Sequence, residues 1–195
     1  MRKSSFKRNT KETRISVEID LDGKGKYSVN TPVPFMNHML TLFSKHGFFD
    51  LVVKAKGDTF IDDHHTVEDL GICLGQALKA SMEKKQNLNR FGYAVVPMDE
   101  SLSEVSVDLS GRPYLIFNVN FTRASVKKEF DFSLLEDFFR ALVSNSSITL
   151  HINSKYGKNN HHIAESVFKA FARALSEAVR INTKAKGVPS TKGCI

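Results

Sequence analysis

The sequence has no tryptophan, only two cysteines and no long apolar run. Cys73 lies in an apolar helical segment and Cys194 lies at the extreme C-terminus, an arrangement that argues against a structural disulfide. No stretch approaches the roughly 20 apolar residues that cross a bilayer, so we expect no membrane association. The basic, polar residues 1–13 also lack the apolar core of a secretory signal. We therefore expect a cytoplasmic protein.

Charge of one sign is in excess. The 28 Lys and Arg residues outnumber the 21 Asp and Glu residues, which gives a formal net charge of +7. A basic balance suits an anionic partner, either nucleic acid or a phosphorylated metabolite. The basic residues are spread along the chain, and neither an aromatic-plus-basic ribonucleoprotein motif nor zinc-finger spacing is present. Both features argue against nucleic acid, which we do not expect as a partner. Charge alone does not decide between a phosphorylated metabolite and a soluble surface that is simply rich in lysine.

An internal repeat organises the chain. The segment DDHHTVE at 62–68 matches NNHHIAE at 159–165, so the second copy lies 97 residues after the first (161 minus 64). Upstream, 17–23 resembles 105–111 at an offset of 88, and loops of unequal length would explain the difference. The repeat predicts one α/β unit over 1–92 and another over 93–187, followed by a flexible tail over 188–195 that closes over a substrate.

Each unit changes from strand-like to helix-like periodicity. In the first unit we predict strands at 15–21 and 51–53 and helices at 36–46 and 67–82. In the second unit we predict strands at 104–109, 114–121 and 148–152, and helices at 134–143 and 162–179. This order predicts an α+β fold of two pseudo-symmetric repeats, each a small mixed sheet with helices packed on one face.

Four of the seven histidines form two His-His pairs, each followed by Glu at the same spacing. Asp and Asn before the pairs are good helix N-caps, so each pair should lie in the first turn of a helix. There, His64 and Glu68 share a face, and His65 points about 100° away. Since one ion would not readily bind both rings of an adjacent pair, the pattern predicts two metal ions, each drawing ligands from more than one helix. A solvated or capping role is the alternative for a single copy of the motif, and duplication favours metal binding.

The remaining ligand of the second half-site has two candidates. His38 precedes His64 by 26 residues, and Asp137 precedes His161 by 24, so Asp137 is the positional counterpart of His38. His151 is the other candidate. A plain surface role is open for both residues.

At this point the sequence resembles the imidazoleglycerol-phosphate dehydratase family along nearly its whole length. The segments that carry the resemblance occur in the family's order: RNTKET (8–13), FMNHML (35–40), HG (46–47), DDHHTVED (62–69), NRFG (89–92), PMDE (97–100), DLSGRPY (108–114), HHIAE (161–165), FKA (168–170) and VPSTKG (188–193). Two positions depart from the family's usual pattern. Asn37 stands where Asp is more common, and Asp137 stands where other members carry a metal-binding His or a Glu.

The resemblance implies a site with two Mn²⁺ ions, although other divalent metals could occupy it. The implied metal ligands are His38, His64, His65, Glu68, His161, His162 and Glu165. It also implies a homo-oligomer of 24 subunits with active sites between subunits.

The implied reaction is the dehydration of D-erythro-imidazole glycerol phosphate to imidazole acetol phosphate in histidine biosynthesis. By resemblance, Glu12 binds the substrate and carries the proton, and His46 lies near the substrate. The implied phosphate ligands are Arg90, Arg112, Lys169, Ser190 and Lys192, which are donors suited to a phosphate dianion. Each of them, taken alone, could equally be a solvated surface residue.

Two rival functions make different predictions. An RNA-binding scaffold would lose affinity steeply with added salt and would bind no metal, and it leaves the duplicated His-His-x-x-Glu unexplained. A two-metal hydrolase would need bridging, Asp-rich carboxylates. The imidazole-rich set here instead leaves room for the ring of a substrate.

Overall fold

The computed structural model describes residues 2–82, 87–121, 130–184, 187 and 190, and within them the chain forms eight strands and four helices. The first half contains β1 (Lys3–Asn9), β2 (Thr13–Asp20), β3 (Tyr27–Asn30), α1 (Pro34–Gly47), β4 (Asp50–Gly57) and α2 (His64–Ser81). The second half repeats this order with β5 (Phe91–Met98), β6 (Ser101–Asp108), β7 (Tyr114–Asn118), α3 (Leu134–Ser146), β8 (Thr149–Tyr156) and α4 (Asn160–Ala178).

Both halves form a four-stranded sheet with one topology. The strand orders are β1-β2-β4-β3 and β5-β6-β8-β7. Antiparallel pairing joins the first three strands of each sheet, and the last strand is parallel to its neighbour through a helical crossover, α1 or α3. The predicted pseudo-symmetric mixed sheets are thus confirmed. The second sheet begins at Phe91, slightly before the boundary expected after residue 92.

The helices fill the space between the two sheets. α2 packs on β1, β2 and β4, and α4 packs on β5, β6 and β8. Helices of opposite halves also pack on each other, α2 on α3 and α1 on α4. Alternation in β2 directs Ile15, Val17 and Ile19 into this interior, where one continuous apolar core unites the two halves. Because helices of one half pack on helices of the other, residues from both halves lie together at the site.

Two glycines allow α2 to approach α3 closely. A Cβ on Gly71 would lie 2.4 Å from the carbonyl oxygen of Phe138, and one on Gly75 would lie 2.6 Å from that of Leu142. Because real Cβ atoms essentially never come within 3.0 Å of such a neighbour, the observed spacing requires glycine at both positions. The contact places the start of α3 beside the start of α2.

The predicted strand over 114–121 is too long. β7 stops at Asn118, where its pairing with β8 ends, and the ring of Phe121 lies 5.3 Å from that of Phe132 instead of continuing the sheet.

Among the described residues, no helix has the length and apolar character needed to cross a membrane. Cys73 is a buried free thiol in α2, and burial raises its pKa to about 12, so it packs as an apolar group. Cys194 lies outside the described residues.

Candidate metal centre

Both His-His pairs lie in the first turn of a helix, as their capping residues predict. The Asp62 carboxylate accepts a hydrogen bond from the backbone N–H of His64 at 2.8 Å. Asn159 does the same for His161 at 2.9 Å. The rings of each pair stand perpendicular, with centroids 6.2 Å apart in the first pair and 6.3 Å in the second. The two repeats therefore present their imidazoles in the same way.

One member of the second pair joins a compact group that we call the α4 cluster: His38, His161 and Glu165. The Nε2 atoms of both histidines lie near one oxygen of Glu165, His38 at 3.0 Å and His161 at 3.1 Å. Candidate ligand atoms of the three residues all lie within 4.8 Å of one another. Two imidazole nitrogens and a carboxylate are a donor set that suits a first-row divalent ion. The cluster draws on two helices, α1 and α4.

The other carboxylate oxygen of Glu165 lies 2.6 Å from Nζ of Lys169. Burial alone would raise the pKa of Glu165, but the Lys169 ammonium and the two histidines lower it to about 2. The carboxylate is therefore ionised at neutral pH, as a metal ligand must be. Lys169, expected at the phosphate, also lies 3.1 Å from the sulfur of Met98.

The first pair contributes to a looser group that we call the α2 cluster: His64, Glu68 and Asp137. Nδ1 of His64 lies 3.8 Å from Asp137 and its Nε2 lies 3.9 Å from Glu68. These separations are too long for hydrogen bonds. All three side chains are at least 39% exposed, so they can adjust to an ion.

The helix contacts correct one expectation about the remaining ligand. Asp137 was a candidate for the half-site of His161, but it lies beside His64, and His38 of the first repeat joins His161 instead. The reason is that α1 packs on α4 and α3 packs on α2. The other candidate, His151, is exposed on β8, whose neighbours Leu150 and Ile152 face the core, so His151 lies on the sheet face opposite the helices.

The second histidine of each pair faces away from its cluster towards another carboxylate. Nδ1 of His65 lies 3.0 Å from Asp58, and Nδ1 of His162 lies 2.7 Å from Glu100. These hydrogen bonds raise the pKa of both imidazoles, and the one from His162 holds the pKa of Glu100 below its usual range. Neither carboxylate was predicted from the sequence. Glu100 lies within the PMDE segment, and Asp58 directly follows a strand.

A cleft of about 1320 Å³ is lined by residues of both clusters. The lining includes His64 and Asp137 of the α2 cluster and His161 of the α4 cluster, with Phe35 and Phe130 among the apolar residues. The mixed lining suits a small molecule that carries an apolar or aromatic portion together with polar groups.

Two of the expected phosphate residues, Arg90 and Arg112, share one carboxylate. Arg90 is paired with Asp108 at 2.8 Å and lies over the ring of Phe91, and Arg112 reaches the same Asp108 at 4.0 Å with 71% of its side chain exposed. Both guanidinium groups therefore lie beside the carboxylate of Asp108, the last residue of β6.

His46, at the end of α1, lies near Lys169, another of the expected phosphate residues, and near Arg173. Burial, followed by the positive charges of Lys169 and Arg173, lowers its pKa. Arg173 was not predicted, and its spacing one helical turn after Lys169 is the signal that could have identified it. Glu12 is exposed and directly precedes β2. Ser190 is described and half-buried, whereas Lys192 and the rest of the predicted tail over 188–195 lie outside the described residues.

Comparison with known proteins gives one consistent family. The model of the imidazoleglycerol-phosphate dehydratase family matches residues 31–175. The chain is 58% identical to an imidazoleglycerol-phosphate dehydratase of Syntrophus aciditrophicus, over all of this chain and 99% of the relative. It is 54% identical to that of Clostridium kluyveri over the full length of both.

Solved structures agree with the sequence comparison. The crystal structure of the Staphylococcus aureus imidazoleglycerol-phosphate dehydratase matches with a TM-score of 0.82 and 42% identity, covering 92% of this chain and 99% of that one. The Pyrococcus furiosus enzyme, solved in complex with the compound (S)-C348, matches with a TM-score of 0.84 and 39% identity, covering 97% and 100%.

Proposed function

The chain belongs to the imidazoleglycerol-phosphate dehydratase family and is a dehydratase of histidine biosynthesis, and we propose that it works with two manganese ions per active site. The proposed metal ligands are the members of the α4 and α2 clusters together with His65 and His162. Asp137 is included as the eighth ligand, because it lies nine residues before the last residue of α3, as His38 does in α1. The convergence of His38 and His161 on one oxygen of Glu165 is the observation that carries the proposal.

The residues present fit such ions. Each cluster offers imidazole nitrogen and carboxylate oxygen without cysteine, a set that suits manganese among other divalent metals. When bound, a pair of ions would act as Lewis acids on the two ring nitrogens of an imidazole substrate and would position it. The protein supplies two such clusters on one cleft, which matches the two nitrogens of the ring.

The other residues bind the substrate and move its protons. His46, Lys169 and Arg173 form an electropositive group beside the α4 cluster that suits a phosphate dianion. We assign the proton transfer to Glu12, because its carboxylate is exposed and is not a proposed metal ligand. Arg90, Arg112, Ser190 and Lys192 complete the proposed phosphate contacts.

Measuring metal content alongside dehydration tests this proposal. His161→Ala and His64→Ala should each reduce the bound manganese found by elemental analysis, and both should abolish formation of imidazole acetol phosphate. His151→Ala is the matched control, since this histidine is exposed on the opposite sheet face and should leave both quantities unchanged. Normal metal content with full activity in both cluster variants would exclude this site.

We further propose that the protein is a cytoplasmic homo-oligomer of 24 subunits with active sites between subunits. Each cluster offers three donors from one chain, and His65 and His162 face away from both clusters, where a neighbouring subunit could use them. Phe60 and Ile61, just before α2, are 88% and 61% exposed, and large exposed apolar residues favour association. Light scattering with and without Mn²⁺ measures the particle mass, and a monomer in the presence of metal would contradict the proposal.

A further inference from the structure

The two histidines that face away from the clusters are held by carboxylates in different places of the repeat. In the second repeat, Glu100 directly precedes β6. It accepts hydrogen bonds from Nδ1 of His162 at 2.7 Å and from the backbone N–H of Asn159 at 2.8 Å and of Lys158 at 3.1 Å. This glutamate therefore fixes both the imidazole and the start of α4.

The first repeat uses another residue for the same contact. The counterpart of Glu100 is Glu12, which directly precedes β2 and lies 88 positions earlier, the same offset that relates the strands. Within the described part of the chain, the Glu12 carboxylate makes no hydrogen bond or ion pair, although it lies close enough to His65 for its charge to act on that ring. His65 is held instead by Asp58, which directly follows β4. At the matching place after β8 the second repeat has Gly157, which offers no side chain.

The hydrogen bond sets the proton position on each ring. A carboxylate oxygen only accepts, so Nδ1 of His65 and of His162 must carry the hydrogen. A neutral ring then has its lone pair on Nε2, on the far side of the imidazole from the carboxylate. A carboxylate that fixes a histidine in this way orients the ring and raises its basicity as a metal ligand.

Asp58 is poorly explained as a residue that stabilises the fold. Its side chain is 12% exposed, and its Oδ1 atom is buried without a hydrogen-bond partner among the described residues. Burying an unsatisfied carboxylate oxygen costs stability. Among the described residues, the one hydrogen bond that its side chain makes is to His65, so the function it provides is to orient that ring.

We propose that Asp58 and Glu100 are positioning residues that present Nε2 of His65 and His162 to metal ions, and that Asp58, by taking this task in the first repeat, leaves Glu12 free for proton transfer. The inference rests on the proposed metal-dependent function. It explains why only one of two glutamates at equivalent positions is available as an acid or base: Glu100 is committed to His162 and to the start of α4.

Manganese affinity in matched variants tests the first part. The free Mn²⁺ signal in electron paramagnetic resonance gives the affinity of each variant. Asp58→Ala should weaken the binding of one class of ion by about 10- to 100-fold, and Asp58→Asn should restore most of it because the amide oxygen still accepts from Nδ1–H. Asp50→Ala is the control. Its carboxylate lies at the other end of β4 and accepts from the backbone of Lys24 and Lys26, so its loss should not change the affinity.

Glu100→Ala tests the second repeat independently and keeps the inference testable if Asp58→Ala fails to fold. It should weaken Mn²⁺ binding by a similar factor, and Glu100→Gln should recover it. Wild-type affinity in the Ala variants at both positions would overturn the inference while leaving the proposed function intact. If the wild-type protein bound no Mn²⁺, both would fail.

Turnover at saturating Mn²⁺ tests the second part. Asp58→Ala frees His65 to pair with Glu12, so kcat should stay below wild type even when the metal sites are full, whereas Asp58→Asn should restore it. If kcat is fully wild type in Asp58→Ala under these conditions, Asp58 does not keep Glu12 available.

Discussion

Replacing Gly71 by alanine should destabilise the protein, although alanine favours a helix more than glycine does. The added Cβ would lie 2.4 Å from the Phe138 carbonyl oxygen and 3.0 Å from Cβ of Ala141. Since ordinary contact begins at 3.4 Å, α2 and α3 must separate by about 1 Å to accommodate it. Overpacking of this kind costs about 1–3 kcal/mol. The clash is with a backbone oxygen, which cannot move away by rotating a side chain, so we take the upper end of this range. The gain in helix propensity offsets about 1 kcal/mol of that cost, and we therefore expect a net loss of about 2 kcal/mol.

Urea denaturation of the metal-free protein at fixed protein concentration measures this loss. Ala80→Gly serves as the control. This position of the same helix is exposed, so the substitution changes the helix propensity without changing the packing of α2 on α3. Separating α2 from α3 also moves His64 away from Asp137, so Mn²⁺ binding should weaken at the α2 cluster and not at the α4 cluster. A Gly71→Ala protein as stable as wild type, or more stable, would refute the close-packing argument.

Three further predictions concern individual side chains. Glu12→Gln should bind Mn²⁺ and substrate normally but lower kcat by about 10²- to 10⁴-fold, and wild-type turnover would remove it as the proton carrier. Lys192→Ala should raise the KM without changing metal content, and loss of metal instead would contradict the phosphate assignment. The hydrogen bond to Glu100 raises the pKa of His162. In the metal-free protein, the stabilisation that this pair gives is therefore fully present below the ordinary histidine pKa of 6.5. It is lost as the pH rises through the raised pKa of His162. The difference in thermal stability between wild type and Glu100→Gln should therefore be larger at pH 6 than at pH 8.5, and a difference independent of pH would contradict it.

Local spacing explains how much of the site was predictable. The i,i+4 relation of His161 to Glu165 and the caps before each helix are properties of short segments, so they survive into the structure unchanged. The repeat also made the two-sheet fold predictable. β1 was not predicted, because none of its residues is buried. Exposed positions alternate with half-buried ones along the strand, so the sequence shows no alternation of apolar and polar residues there.

The partners contributed across the molecule were not predictable in this way. Sequence distance pairs His38 with His64 and Asp137 with His161, but the packing of α1 on α4 and of α3 on α2 reverses both pairings. The helical periodicity of a segment does not indicate which other helix that segment packs against. Asp58 was missed for the same reason, since its role depends on where the residue after β4 points relative to the start of α2.

This reversal makes each cluster depend on both repeats. The α4 cluster takes His38 from the first repeat, and the α2 cluster takes Asp137 from the second, so neither repeat contains a complete cluster by itself. An ion bound at either cluster therefore links helices from opposite halves, and its binding free energy adds to the stability of the α1–α4 or α2–α3 contact. Loss of both ions should then weaken the packing between the halves more than the pairing within either sheet. Hydrogen exchange with and without Mn²⁺ would show this as faster exchange in the four helices and little change in β2, β4, β6 and β8.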